Sequence, residues 1–375
     1  MKTAPAVAAG ERFFTAEAPR IARLCHAMSE RFARGGRLIA VGCTPQARSD
    51  ARHVAVEFVH PVIVGKRALP ALAVTHEPEQ LAMLAEPDDM VMAFDGSCGW
   101  ADDELRRPYL TVGYGAGGAE WEFDPGCDDS FVAQELIETH YHLLWELVHV
   151  FFEHRGRQGG AAQDGGAAAW LYPMLGERAR DSESVVRDVA ASVLMKAEEV
   201  AVLRAQTLTE NDGAIAGAAA ALRKSFAAGG RLLTFGNGGS CTDAMDAYAD
   251  TSFPPASKGL MPHPALDLSD DASILTAIAN DIGIGNIFSR QVIAHARKQD
   301  VLVSFSTSGN SENVLEALTE GRRRGVVTVA LVGYDGGKIS ELGLADHIIV
   351  TRSQHIPRIQ EAQASAWHAL RELVG

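Results

Sequence analysis

Short apolar runs recur along the chain, and all but one end in a glycine or a hydroxyl residue before a stretch with helical spacing begins. "RLIAV" (37–41), "DMVMAF" (89–94) and "LTVGY" (110–114) lie in the first part, with "RLLTF" (231–235), "DVLVSF" (300–305) and "VTVALVG" (327–333) in the second. Runs this short, apolar without strict alternation, read as parallel strands covered on both faces. The segments between them carry apolar residues three and four apart, which is the helical period. The predicted fold class is therefore α/β, with each half a parallel sheet flanked by helices on both faces, doubly wound and flavodoxin-like.

The two series are copies of one another. "GGRLIAVGCTPQARSDARHVAVEFVHP" (35–61) aligns with "GGRLLTFGNGGSCTDAMDAYADTSFPP" (229–255) with one residue of slippage in the loop. "QELIETHYHLLWELV" (134–148) sits over "QEAQASAWHALRELV" (360–374), sharing Gln-Glu, then His eight residues after Gln, then Glu-Leu-Val. Matches in one order along the chain indicate a tandem duplication. The stretch "RGRQGGAAQDGGAAA" (155–169) is rich in Gly and Ala and reads as a linker. The expected domains are residues 1–154 and 181–375, with residues 155–180 linking them. The second opens with "SESVVRDVAASVLMKAEEVAVLRAQTL" (182–208), more helix than one small sheet needs. It reads either as a packing surface for another domain or subunit, or as a lid over its own core.

Composition narrows the function. The chain has 375 residues, 47% hydrophobic and 22% charged, with a formal net charge of −14. That balance excludes a general nucleic-acid or anionic-membrane surface, while leaving room for a local anion site. The five cysteines are odd in number and without CxxC spacing, which argues for reduced thiols. "HYHLLWELVHVFF" is broken by His140, His142, Glu146 and His149, so no run suits a membrane span. The amino terminus lacks a secretory apolar region, and a cytoplasmic location is expected.

Candidate chemistry gathers at two loops of the second half. In "LLTFGNGGSCTDAM", Asn237, Gly238, Gly239 and Ser240 form a tight strand-to-helix turn whose amides and helix dipole suit an anion. In "FSTSGNSENV", Ser306, Thr307, Ser308 and Ser311 surround Gly309 at the end of a strand. Such a donor cradle fits the three acceptor oxygens of a phosphate monoester. Helix capping by Ser311 is the plain alternative.

"GNGGS…DA", "ANDIGIGNIFSRQV", "STSGNSENVL", "VGYDGGKI" and "RIQEAQASAWH", in this order, resemble the sugar isomerase (SIS) family and in particular its phosphoheptose isomerases. The resemblance is close over residues 185–375 and fainter over 20–150. It implies two tandem SIS domains, the first degenerate, and interconversion of sedoheptulose 7-phosphate and D-glycero-D-manno-heptose 7-phosphate. It adds Asn280, Asp281 and Gln360 to the substrate-binding residues. It also implies a His-x-x-x-Glu pair and a Gln…His pair that hold a divalent ion, zinc, and a carboxylate–histidine couple that moves the proton.

Carried onto this chain, the resemblance is split. The first half keeps His53, Glu57, Gln134 and His142, a zinc set without thiolate. Its loops read "GCTPQ" (42–46) and "DGSCGW" (95–100), the latter putting Asp95 where phosphate would be repelled. The second half keeps the loops, but its helix pair reads Asp246 and Asp250, with Gln360 and His368 retained as a harder, weaker metal set. Phosphate binding is thus expected in the second half, with Asp250 as base and His368 as acid; Glu57 and His142 are the first-half alternative. His53 and His142 also read as core histidines, and Asp246 and Asp250 as a solvated acidic face. The expected assembly is a homodimer forming a pseudo-tetramer of SIS domains. A non-catalytic sugar-phosphate-binding regulatory or assembly protein is the second functional reading.

Overall fold

The two series of apolar runs build two separate sheets of one design. The computed structural model describes residues 3–62, 66–96, 109–115, 117–159 and 182–375. Residues 97–100 of the altered loop and 160–180 of the expected linker lie outside them.

The first repeat comprises α1 (Thr3–Ala33), β1 (Leu38–Val41), α2 (Pro45–Val59), β2 (Ala71–Val74), α3 (Leu81–Leu84), β3 (Met90–Ala93), β4 (Leu110–Tyr114), β5 (Trp121–Phe123) and α4 (Ser130–Gly159). Its strands lie in the order β2-β1-β3-β4-β5, all parallel. After α5 (Ser182–Glu210) and α6 (Asp212–Ala227), the second repeat runs β6 (Leu232–Phe235), α7 (Gly239–Ser252), β7 (Ala265–Asp267), α8 (Ala272–Ile282), α9 (Ser289–His295) and β8 (Val301–Ser306). It ends with α10 (Glu312–Arg323), β9 (Val327–Gly333), α11 (Gly337–Glu341), β10 (His347–Thr351) and α12 (Ile356–Val374). The order β10-β9-β8-β6-β7, again all parallel, is the same topology read from the opposite edge. Both are doubly wound sheets whose order reverses beside the first strand, the place where ligands collect in such folds.

The second sheet shows why its strands read as continuously apolar. Leu232, Val301, Val303 and Phe305 pack into a core with Ile215, Leu222, Ala366 and Leu370. Leu233, Phe235 and Leu302 turn to the other face and pack with Val314, Leu318 and Val292. Alternate residues of one strand thus feed two cores, so both faces of the sheet are covered. The strands' carboxyl ends are what remain available for chemistry.

The chain forms two compact units. One gathers Cys127–Glu135 with Val200–Gly375, and the other gathers Ala4–Gly126 with Leu136–Glu199. The first turn of α4 therefore belongs to the unit of the second sheet, although its sequence lies in the first repeat. No helix among the described residues is long and apolar enough to cross a membrane.

Candidate active site and metal centre

At the reversal point of the second sheet, the loops after β6 and β8 face one another. A Cβ on Gly236 would fall 2.1 Å from the Ser240 carbonyl, so only glycine permits this turn into α7. Gly309 has φ 63°, and its added Cβ would lie 2.2 Å from the Gly336 carbonyl. The hydroxyl loop is thereby pressed against the "GYDGG" loop. Asn237 and Asn313 exchange two amide hydrogen bonds, of 2.8 and 2.9 Å, which tie the glycine loop to the start of α10. Sequence reading picked Asn237 and missed Asn313, because the pairing spans 76 residues.

Ser311 stands at the N-cap of α10, yet its side chain makes no capping hydrogen bond. The capping role weighed for it from sequence is therefore not in use. Ser306 is buried and its hydroxyl accepts from the Gly309 amide at 3.1 Å. Ser308 accepts from the Asn310 amide at 3.2 Å. Ser240 is buried in the first turn of α7, one residue after Gly239. Asn280 and Asp281 are exposed near the end of α8, where Asn280 donates to Asp281 at 2.8 Å. Ser308 and Asn310 also line an open cavity of about 660 Å³ with Tyr334, Asp335, Arg352 and Gln354.

The corresponding place in the first sheet is filled from within. Asp95 accepts from the Cys43 and Thr44 amides at 2.9 and 2.8 Å. A carboxylate of the protein thus takes the amides that follow β1, and an incoming phosphate would meet its charge.

A polar cluster lies in the unit of the second sheet between α7 and α12. Asp250 is fully buried and His368 is 4% exposed, with His368 Nε2 3.5 Å from Asp250 Oδ2. Trp367 Nε1 donates to the same Asp250 oxygen at 3.2 Å, while Asp250 Oδ1 is buried without a hydrogen-bond partner. His368 Nδ1 lies 2.8 Å from Glu135 Oε1, and the ring stacks on Phe131 at 4.2 Å with a 2° interplanar angle. Burial disfavours the imidazolium, but the hydrogen bonds and charges of Asp250 and Glu135 prevail and raise His368 to about 9. Gln134 donates to Asp246 at 3.0 Å, and Gln360 to Asp243 at 3.3 Å. Each of Asp246, Asp250, Gln360 and His368 is thus engaged with another side chain.

In the other unit, His53, Glu57 and His142 are buried together, with ligand atoms within 4.8 Å of one another. The two Nε2 atoms are 3.3 Å apart, and Tyr141 Oη lies 3.0 Å from His53 Nδ1. Imidazoles bound about 2.0–2.1 Å from a tetrahedral ion sit about 3.3 Å from each other, so this pair is spaced as zinc ligands are. Glu57 Oε2 is buried without a hydrogen-bond partner, a cost that a cation would offset. Burial raises Glu57 to about 7, with the His142 charge opposing and Glu146 adding. His53 is held well below its usual range by burial and then by His142. The donor set fits a metal. Gln134, the fourth residue of the expected set, donates its amide N–H to Asp246 at 3.0 Å.

A family model described as "SIS domain" matches residues 197–333. The phosphoheptose isomerase of Rhodospirillum rubrum is 44% identical over 161 residues, covering 43% of this chain and 84% of that protein. The phosphoheptose isomerase of Geobacter sulfurreducens is 46% identical over 164 residues, covering 43% and 84%. Among solved structures, a putative tagatose-6-phosphate ketose/aldose isomerase from Clostridium novyi covers 99% of this chain and 88% of its own, at 10% identity and TM-score 0.60. The C-terminal domain of glucosamine-fructose-6-phosphate aminotransferase from Francisella tularensis covers 96% and 93%, at 10% identity and TM-score 0.57. These two share the fold across both repeats. The chain belongs to the phosphoheptose isomerase family of SIS-domain proteins.

Proposed function

We infer that the chain is a sugar-phosphate isomerase that interconverts sedoheptulose 7-phosphate and the corresponding aldose through an enediol. The observation that carries this reading is Ser311, whose hydroxyl is uncommitted at the amino end of α10 beside Ser306, Thr307 and Ser308. In a family of phosphoheptose isomerases, an uncapped helix end ringed by hydroxyls is where the phosphate belongs.

Isomerisation takes a proton from one of two adjacent carbons and returns it to the other, while the oxygens exchange a proton in the opposite sense. Asp250 supplies the base through Oδ1, the oxygen that has no partner. His368 carries a proton on Nε2 near neutrality and supplies the acid. Glu57 with His142 is the same residue pairing in the first repeat, but there Asp95 occupies the loop amides, so phosphate has no cradle.

Zinc, when bound, would be held by His53, Glu57 and His142 in the unit of the first sheet, apart from the residues that move the proton. We further propose a homodimer, giving four SIS domains per assembly, with a mass in light scattering of twice the 40.0 kDa chain. The function is tested by deuterium exchange: in heavy water, wild type should label sedoheptulose 7-phosphate at the carbon next to the carbonyl. Asp250→Asn should bind the sugar phosphate and label it at least a hundredfold more slowly. Binding without labelling by wild type would make the chain a sugar-phosphate-binding protein instead.

A further inference from the structure

We infer that Glu135, carried by the last helix of the first repeat, is a positioning residue that fixes the ring of His368 in the second-repeat site. The proposal rests on the isomerase reading for its meaning but on separate geometry for its support. His368 has two ring nitrogens and two carboxylate neighbours. Glu135 lies 2.8 Å from Nδ1, well inside hydrogen-bond range, whereas Asp250 lies 3.5 Å from Nε2, at its limit. The shorter contact sets the orientation of the ring. With Nδ1–H donating to Glu135, Nε2 is directed at Asp250.

Glu135 is itself held rigidly. Ser365 donates to its Oε2 at 2.6 Å, Arg204 Nη2 donates to its backbone carbonyl at 2.9 Å, and Arg204 Nε lies 3.7 Å from Oε2. The turn that carries it is anchored as well. Lys258 lies 2.9 Å from both carboxylate oxygens of Asp129 and 4.6 Å from the centre of the Phe131 ring, the ring on which His368 stacks. Two side chains of one helical turn, Phe131 and Glu135, thus fix the plane of the imidazole and its rotation within that plane. The counterpart of Glu135 in the second repeat, Glu361, pairs with Arg358 on its own helix at 2.6 Å, so the histidine clamp is a use of Glu135 and not a property of every Gln-Glu helix start.

This dependence makes the second repeat incomplete without residues 129–135, and it is tested in the full-length chain. Glu135→Ala should lower kcat for sedoheptulose 7-phosphate by about 30- to 100-fold, the loss expected when a reacting group is misplaced by about 1 Å. KM should change by less than about twofold, because Glu135 acts through the ring of His368 and not through the loops after β6 and β8. Glu135→Gln, which keeps an acceptor oxygen for Nδ1–H, should recover most of the rate. With ring-labelled histidine, the His368 nitrogen signals, assigned by their loss in His368→Gln, should shift in Glu135→Ala and return toward wild type in Glu135→Gln. Unchanged His368 signals in a folded Glu135→Ala protein would overturn the proposal. The ring signals decide this even if wild type has no turnover, a result that would count against the isomerase reading alone.

Discussion

His368 links folding to pH in a direction that can be worked out from its contacts. Its ordinary value is 6.5, and burial is outweighed by Asp250 and Glu135, which raise it to about 9 in the folded chain. A raised histidine contributes its full stabilisation below 6.5, where both folded and unfolded states hold the proton. Between 6.5 and about 9 only the folded state keeps it, so each pH unit removes about 1.4 kcal/mol. Across that window the loss is on the order of 3 kcal/mol, a large part of a usual folding free energy. The perturbation is His368→Gln, which removes the titrating group with little change of volume. Urea unfolding of both proteins from pH 6 to 10, with chelator present, isolates the effect, because the other groups cancel in the difference. The variant should be the less stable protein at pH 6, and its deficit should shrink steadily above pH 6.5 and level off beyond pH 9. A difference that stays flat across the range would refute the clamp between Asp250 and Glu135 as the source of stability.

Two further outcomes follow from the asymmetry of the repeats. Ser308→Ala combined with Ser311→Ala should abolish sugar-phosphate binding in calorimetry, whereas Asp95→Asn should leave it within about twofold, because the first-repeat loops carry none of the binding. Zinc added to metal-free protein should bind one equivalent in calorimetry, and His53→Ala should weaken it at least a hundredfold, while His368→Gln should leave it unchanged.

The architecture was legible because the strands of both sheets are apolar on both faces, and the loops between them carry glycine where no other residue fits. Gly236 and Gly309 mark the two turns of the proposed phosphate site, and the sequence of each turn is local. What was illegible was distant in sequence. Asn313 pairs with Asn237 across 76 residues, and Glu135 reaches His368 across 233. Gln134 likewise meets Asp246 across 112 residues. Asp95 was read as repelling phosphate. Its hydrogen bonds to Cys43 and Thr44 add that the carboxylate itself takes the amides.

The most direct measurement is turnover of sedoheptulose 7-phosphate by the purified chain, with and without added zinc, followed as aldose phosphate formed. Wild type should reach an aldose–ketose equilibrium, and Ser308→Ala with Ser311→Ala should form none at the same protein concentration. Tight binding of the sugar phosphate without any aldose, in both metal conditions, would contradict the assignment of an isomerase.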